Sequence, residues 1–130
     1  MLKRKTGGFT LVEIMIVVAI IALLAAIAVP GFLRARKRSQ GTTIKNDLRL
    51  IDAAKDQYAI EFNKTTESPI WDDLTPYFKP GTRLQAGNSD LFGRTYSINS
   101  LNSLPGVNPT SYSGLSDVCD DTFWSPYPTS

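Results

Sequence analysis

Histidine is absent from this 130-residue chain, and cysteine occurs once, at Cys119. The first absence removes the usual general base for a serine or cysteine nucleophile, and the second excludes an intrachain disulfide. A soft-metal site of the zinc type lacks its thiolate and imidazole ligands for the same reasons. No glycine-rich phosphate loop is present. The adjacent acids Asp72 and Asp73 diverge by about 100° on a helix, so they suit the N-terminus of a short helix better than a catalytic pair. These gaps leave little from which to build an enzyme, and none is expected. The formal charge of +2 also conceals a partition, because Lys3, Arg4 and Lys5 supply three of the 14 basic residues and the remainder faces 12 acidic ones. A body so nearly neutral has no electrostatic footprint for nucleic acid, which is not expected as a partner.

What the chain has in abundance is one apolar run. From Phe9 to Val29 the only charged residue is Glu13. At about 1.5 Å per residue this run is long enough to cross a hydrocarbon core of about 30 Å. In lipid every backbone polar group needs an internal partner, so the run is expected to be helical. Pro30 and Gly31 follow it, and Pro30 predicts a kink or loosened turn near Val29 rather than a clean stop.

Two ordinary explanations leave Glu13 without a purpose. A secretory signal cut after Ala28 would fit the small residues Ala26 and Ala28, but the run exceeds the usual length of such a core. Gly7-Gly8 also separates it from the basic residues. A plain membrane anchor explains the length, yet a carboxylate deep in a spanning helix costs about 2.5 to 3.5 kcal/mol. Cleavage after Gly8 supplies a partner, because Phe9 would then carry a free amine four residues before Glu13. The two charges neutralise each other within one helix or between adjacent subunits, and a subunit slipped by a turn leaves both unpaired.

Gly8-Phe9-Thr10-Leu11-Val12-Glu13, set between a short basic leader and a long apolar run, resembles the N-terminus of type IV prepilins and type II secretion pseudopilins. The resemblance covers Met1 to about Arg38. It implies cleavage between Gly8 and Phe9 by a prepilin peptidase, N-methylation of Phe9, a helix kink at Pro30-Gly31, and Glu13 as the assembly carboxylate. It implies residues 1–8 as leader, 9–33 as the transmembrane and filament-core helix, and 34–130 as a pilin-like globular domain. The partners implied are membrane lipid before assembly, then like subunits or other pseudopilins in a filament, moved by an inner-membrane platform protein and an assembly ATPase. The location implied is a single pass through the inner membrane, with the leader in the cytoplasm and the globular part in the periplasm or outside. The basic cluster Arg34, Arg36, Lys37 and Arg38 sits awkwardly with that orientation. It is read as an interfacial collar against lipid headgroups.

The globular part is small enough to be marginal on its own. Ile44, Leu48, Ile51, Tyr58 and Phe62 fall on one helical face, with Arg49, Asp52, Lys55 and Asp56 expected to form surface pairs. Gly41-Thr42-Thr43 is a place where this helix bends or restarts. Trp71, Leu74, Tyr77 and Phe78 are spaced to cap the core from a short second helix ended by Pro80-Gly81. "RTYSI" alternates in the manner of a strand. The fold class expected is α+β: a long N-terminal helix, with a transmembrane and an amphipathic half, packed on a small antiparallel sheet with a short second helix.

Two further stretches bear on function. "DLFGRTYSI" resembles the D-P-W-G-x-P-Y stretch of major type II secretion pseudopilins at Asp90, Phe92, Gly93 and Tyr96. With the missing cysteine pair, that favours a secretion pseudopilin over a surface pilus subunit. A membrane-anchored module binding DNA, a surface or cargo is the competing class. Asp117, Asp120 and Asp121 offer hard oxygen ligands of the kind calcium takes. Their spacing is not that of an EF-hand, and a solvated acidic loop is the simpler reading; apart from calcium no cofactor is expected.

Overall fold

The computed structural model describes residues 1–129. They form two compact units, Met1–Ala35 and the part from Arg36 onward. One helix, α1, runs Leu11–Phe62, and it is followed by α2 (Trp71–Leu74), a 3-10 turn Thr75–Tyr77, α3 (Arg83–Ala86), α4 (Pro109–Leu115) and α5 (Asp121–Trp124).

In the first unit no residue is buried. α1 is the one helix among the described residues that is long and apolar enough to cross a membrane, and none of its most apolar window is covered by protein. The helix continues through Pro30. The proline ring removes the amide that would have bonded the Ala26 carbonyl, so one backbone acceptor is freed there.

The second unit is built on the other part of α1. Ile44, Leu48 and Ile51 are wholly buried, and Ala54 and Tyr58 nearly so. The spacing of three and four residues that predicts this face is the one that packs. Phe62 departs from it, being 54% exposed, and it lies against the Tyr58 ring at 4.8 Å. Each large side chain buried here contributes about 1.5–3 kcal/mol relative to exposure. Leu74 and Phe78 close the core, with Trp71 stacked on Phe78 at 5.1 Å. Asp73 accepts from the Ile70 amide (3.0 Å) at the start of α2, the helix-end role expected of it. The tail folds back: Trp124 is fully buried and donates to the Cys119 carbonyl (3.2 Å), and Val107 donates to Pro128 (3.1 Å).

The antiparallel sheet is not there. Among the described residues the sole β pairing is an isolated antiparallel bridge between Ser97 and Gly106. The "RTYSI" stretch is held instead by side chains: Asn88 bonds both the amide and the carbonyl of Tyr96, at 3.1 and 3.2 Å. Alternation in sequence does not distinguish a strand from an extended segment whose backbone partners are side chains. The core is therefore covered by short helices and loops, α4 and α5 among them.

Gly41 also has a different purpose from the expected bend, for α1 is unbroken there. A Cβ at Gly41 would stand 2.6 Å from the Cys119 sulfur and 3.2 Å from the Phe123 ring. The glycine lets the C-terminal segment approach the helix closely.

Candidate functional site

The residues singled out near the N-terminus form a local unit. Residues 1–10 carry no regular structure and are exposed. Gly7 and Gly8 have open space where a Cβ would stand, so packing does not demand glycine at either position. Thr10 precedes the first residue of α1, and its hydroxyl accepts from the Glu13 amide at 3.2 Å while the Glu13 carboxylate accepts from the Thr10 amide at 2.8 Å. This reciprocal pair is a capping box. The pattern Thr-x-x-Glu ahead of an apolar run is a sequence signal for it, and a reading focused on the Phe9 amine overlooks it. Glu13 thus satisfies a backbone donor that the helix start leaves unpaired, and its charge sits at the positive end of the helix dipole. The carboxylate lies one residue from the nitrogen that cleavage after Gly8 would turn into an amine.

The acidic run does not form a site. Asp117 pairs with Lys37 at 2.8 Å. Asp120 accepts from the Phe123 amide (2.9 Å) and the Thr122 hydroxyl (2.7 Å), capping α5, and these bonds hold its carboxyl below the usual range. Asp121 accepts from the Tyr112 hydroxyl at 2.6 Å, which pushes that phenol up. The three acids share none of these partners, and among the described residues no group of three or more histidine, cysteine or acidic side chains is gathered to hold a metal. The calcium reading therefore loses its geometric basis. Burial raises the Cys119 thiol, as suits a packing residue.

The basic collar is divided as well. Lys37 is in the ion pair with Asp117, the Arg38 guanidinium lies 5.7 Å from the centre of the Phe123 ring, and Arg34 and Arg36 are exposed.

Sequence reading misses a set of buried polar residues. Asp90 is 2% exposed; its carboxylate accepts from the amides of Phe92 (2.8 Å) and Arg94 (2.9 Å) and from the Ser111 hydroxyl. The Asp and Gly of "DLFGR" are thus turn residues: Gly93, at φ +79, donates back to the Asp90 carbonyl. Asp47 accepts from the Tyr96 hydroxyl at 2.7 Å and from Arg83. Burial, then Asp47, pushes the Tyr96 phenol up. Lys55, expected on the surface, is 1% exposed and donates to the carbonyls of Ile98 (2.8 Å) and Ser103, with burial lowering its ammonium. Its long apolar stem explains why helical periodicity alone did not mark it as polar core.

A family model, the prokaryotic N-terminal methylation motif, matches residues 3–29. The type IV wide pilus major component PilA4 of Thermus thermophilus is 42% identical over 65 residues, 50% of each chain. The type II secretion system core protein G of Pseudomonas aeruginosa is 41% identical over 61 residues, 47% of this chain and 43% of that protein. The type IV major pilin protein PilA of Myxococcus xanthus is 42% identical over 63 residues, 48% of this chain and 29% of that one. The chain spans half or less of the length of these curated relatives. No solved structure matches it. Its N-terminal methylation motif and about half of its length are thus similar to those of type IV pilins and type II secretion core proteins G.

Proposed function

We propose that this chain is a structural subunit of a type IV pilus-like filament, cut between Gly8 and Phe9 by a prepilin peptidase, methylated on Phe9, and assembled through the helix that begins there. The observation that carries this reading is the arrangement at the start of α1. Two glycines that packing does not require stand in an exposed, irregular leader, and a carboxylate is already turned to the backbone one residue beyond the bond to be cut. A peptidase needs an accessible extended peptide, and small residues suit a narrow active-site channel. Once the amine exists, Glu13 is within one turn of it.

Before assembly the uncovered apolar part of α1 lies in lipid, which fits a single pass through the inner membrane with the leader in the cytoplasm. In the filament the same surface is covered by other copies or by other pseudopilins, and a platform protein and an ATPase supply the movement. The finer assignment is to a type II secretion pseudopilus, supported by the Asp90-Gly93-Tyr96 stretch and by the single cysteine. The pilins of Thermus thermophilus and Myxococcus xanthus among the relatives favour a second reading, a surface pilus subunit.

Intact mass of the membrane-derived protein tests the processing step: a start at Phe9 with one added methyl is expected, and an intact Met1 or a start at Val29 overturns it. Glu13→Gln separates charge from capping, since the amide still accepts from Thr10 but cannot neutralise an amine. Insertion should be unchanged and filament incorporation impaired, as for Glu13→Val. Normal assembly of Glu13→Gln would show that charge pairing is not the role of this residue.

A further inference from the structure

The segment that leaves α1 carries a short motif with a chemistry of its own. Glu61-Phe62-Asn63-Lys64-Thr65 contains Asn-x-Thr with x other than proline, the acceptor pattern for N-linked glycosylation on a surface loop of an exported protein. Of the six asparagines only Asn63 meets that pattern. Glu61 adds the acid that bacterial acceptors of this kind carry two positions before the asparagine. Local structure leaves both groups of the motif available. α1 ends in a Schellman turn: the Asn63 amide donates to the Ile60 carbonyl (3.4 Å) and the Lys64 amide to the Ala59 carbonyl (3.0 Å), with Asn63 at φ +50. That backbone position favours glycine or asparagine whatever the side chain does, but it places no demand on residue 65. Among the described residues neither the Asn63 side chain nor the Thr65 hydroxyl has a hydrogen-bond partner, and both residues are exposed in a stretch, 63–70, that is neither helix nor strand. Asn108 is the contrast. Thr110 stands two residues after it, but Pro109 lies between them, and its side chain is engaged, donating to the Thr95 carbonyl (3.1 Å) and accepting from the Thr110 amide (3.0 Å).

We propose that Asn63 is an N-glycosylation site, modified by a transferase that takes the sugar from a polyprenyl diphosphate carrier. The inference rests on the filament reading above, which puts the second unit on the outer side of the inner membrane, where such lipid-carried sugars are presented. The transferase has to hold the carboxamide and the hydroxyl two residues later at the same time. A chain locked in a helix or a ladder resists that, and the stretch from Asn63 onward is in neither. In the transfer the Asn63 Nδ2 bonds to the anomeric carbon of the first sugar and the bond from that carbon to the diphosphate oxygen breaks. The lipid diphosphate leaves with the electron pair, and a base of the transferase takes one Nδ2 proton. The site also has something to cover: Ile60 and Phe62, within three residues of Asn63, are 82% and 54% exposed. A bulky, polar glycan beside them shields large apolar side chains from non-specific association.

The full chain, isolated from the membranes of its native host, tests this by intact mass and by fragmentation of the peptide that spans residue 63. The mass should exceed that of a chain starting at a methylated Phe9 by at least one sugar, and fragmentation should place the addition on Asn63. Thr65→Ala should abolish the addition while leaving the turn at the end of α1 intact, Thr65→Ser should retain it, and Asn63→Gln should abolish it. A bare Asn63 in the parent chain overturns the proposal whichever N-terminus is found; with a methylated Phe9 in the same molecule, the filament reading stands. A sugar that survives Thr65→Ala, or that is attached to a serine or threonine oxygen alone, overturns it as well. Glycosylated Asn63 in a chain that keeps Met1 supports the site and overturns the processing step instead.

Discussion

The two parts of α1 obey different rules although they are one continuous helix. Before Ala35 no side chain is buried by the chain itself, and the helix is apolar almost all round; beyond Arg36 it is amphipathic and eight of its residues are buried, Asp47 and Lys55 among them. An all-round apolar helix is a request for a surrounding that is not water, either lipid or other helices. The amphipathic part has its partner in the same chain. Composition therefore shows where each part finds its stability: one outside the molecule, the other within it.

The largest effects that break this comparison come from matched truncations. Leu48→Ala should destabilise the second unit by about 2–5 kcal/mol, as large-to-small changes in cores do, while Ile21→Ala should leave it unchanged. Thermal unfolding of the detergent-solubilised chain, followed by near-ultraviolet circular dichroism, measures both. Equal losses would show that the first unit is packed against protein after all.

Removing Asp90 should come next. Asp90→Ala orphans two amides and a hydroxyl in a buried loop, at about 1–3 kcal/mol for each group left without a partner and without water. Denaturant unfolding should place the loss near 3 kcal/mol, and relief by entering solvent would reduce it.

A pH profile addresses Tyr96. Its phenol is held neutral in the fold above its ordinary pKa of 10.0, whereas the unfolded chain ionises near that value. The folded state then binds more protons than the unfolded one, so this contribution is fully present below pH 10 and declines as pH rises beyond it. Tyr96→Phe should reduce the alkaline fall in melting temperature, leaving a residue from Tyr77, which Glu61 first and burial second push up to about 12. An unchanged alkaline slope would mean that Tyr96 is not held buried against Asp47 in the folded chain.

The smallest effect is expected at the surface. Lys37→Ala breaks an exposed ion pair with Asp117 and should change stability by less than about 1 kcal/mol, less still at high salt. Calcium chloride should not raise the melting temperature of the parent chain, since Asp117, Asp120 and Asp121 serve separate partners.

The helix, its two characters, the residues of the N-terminal methylation motif and the core face at Ile44, Leu48 and Ile51 were legible in sequence, because each rests on local periodicity or on close neighbours in the chain. The capping box at Thr10 and Glu13 is legible too, as Thr-x-x-Glu ahead of an apolar run. Nothing local marked Asp90, Asp47 and Lys55 as interior. Their burial depends on acceptors and donors some 20 to 50 positions away, such as Ser111, Tyr96 and Ile98. The sheet failed as an expectation for the same reason. A strand is defined by the backbone it pairs with, and around Tyr96 the partner is the side chain of Asn88. Sequence by itself determined that this chain has an apolar helix with a carboxylate near its start, and hence a need for cover. Tertiary structure alone decided which polar groups are buried, because a polar group is stable out of water only where distant residues complete its hydrogen bonds.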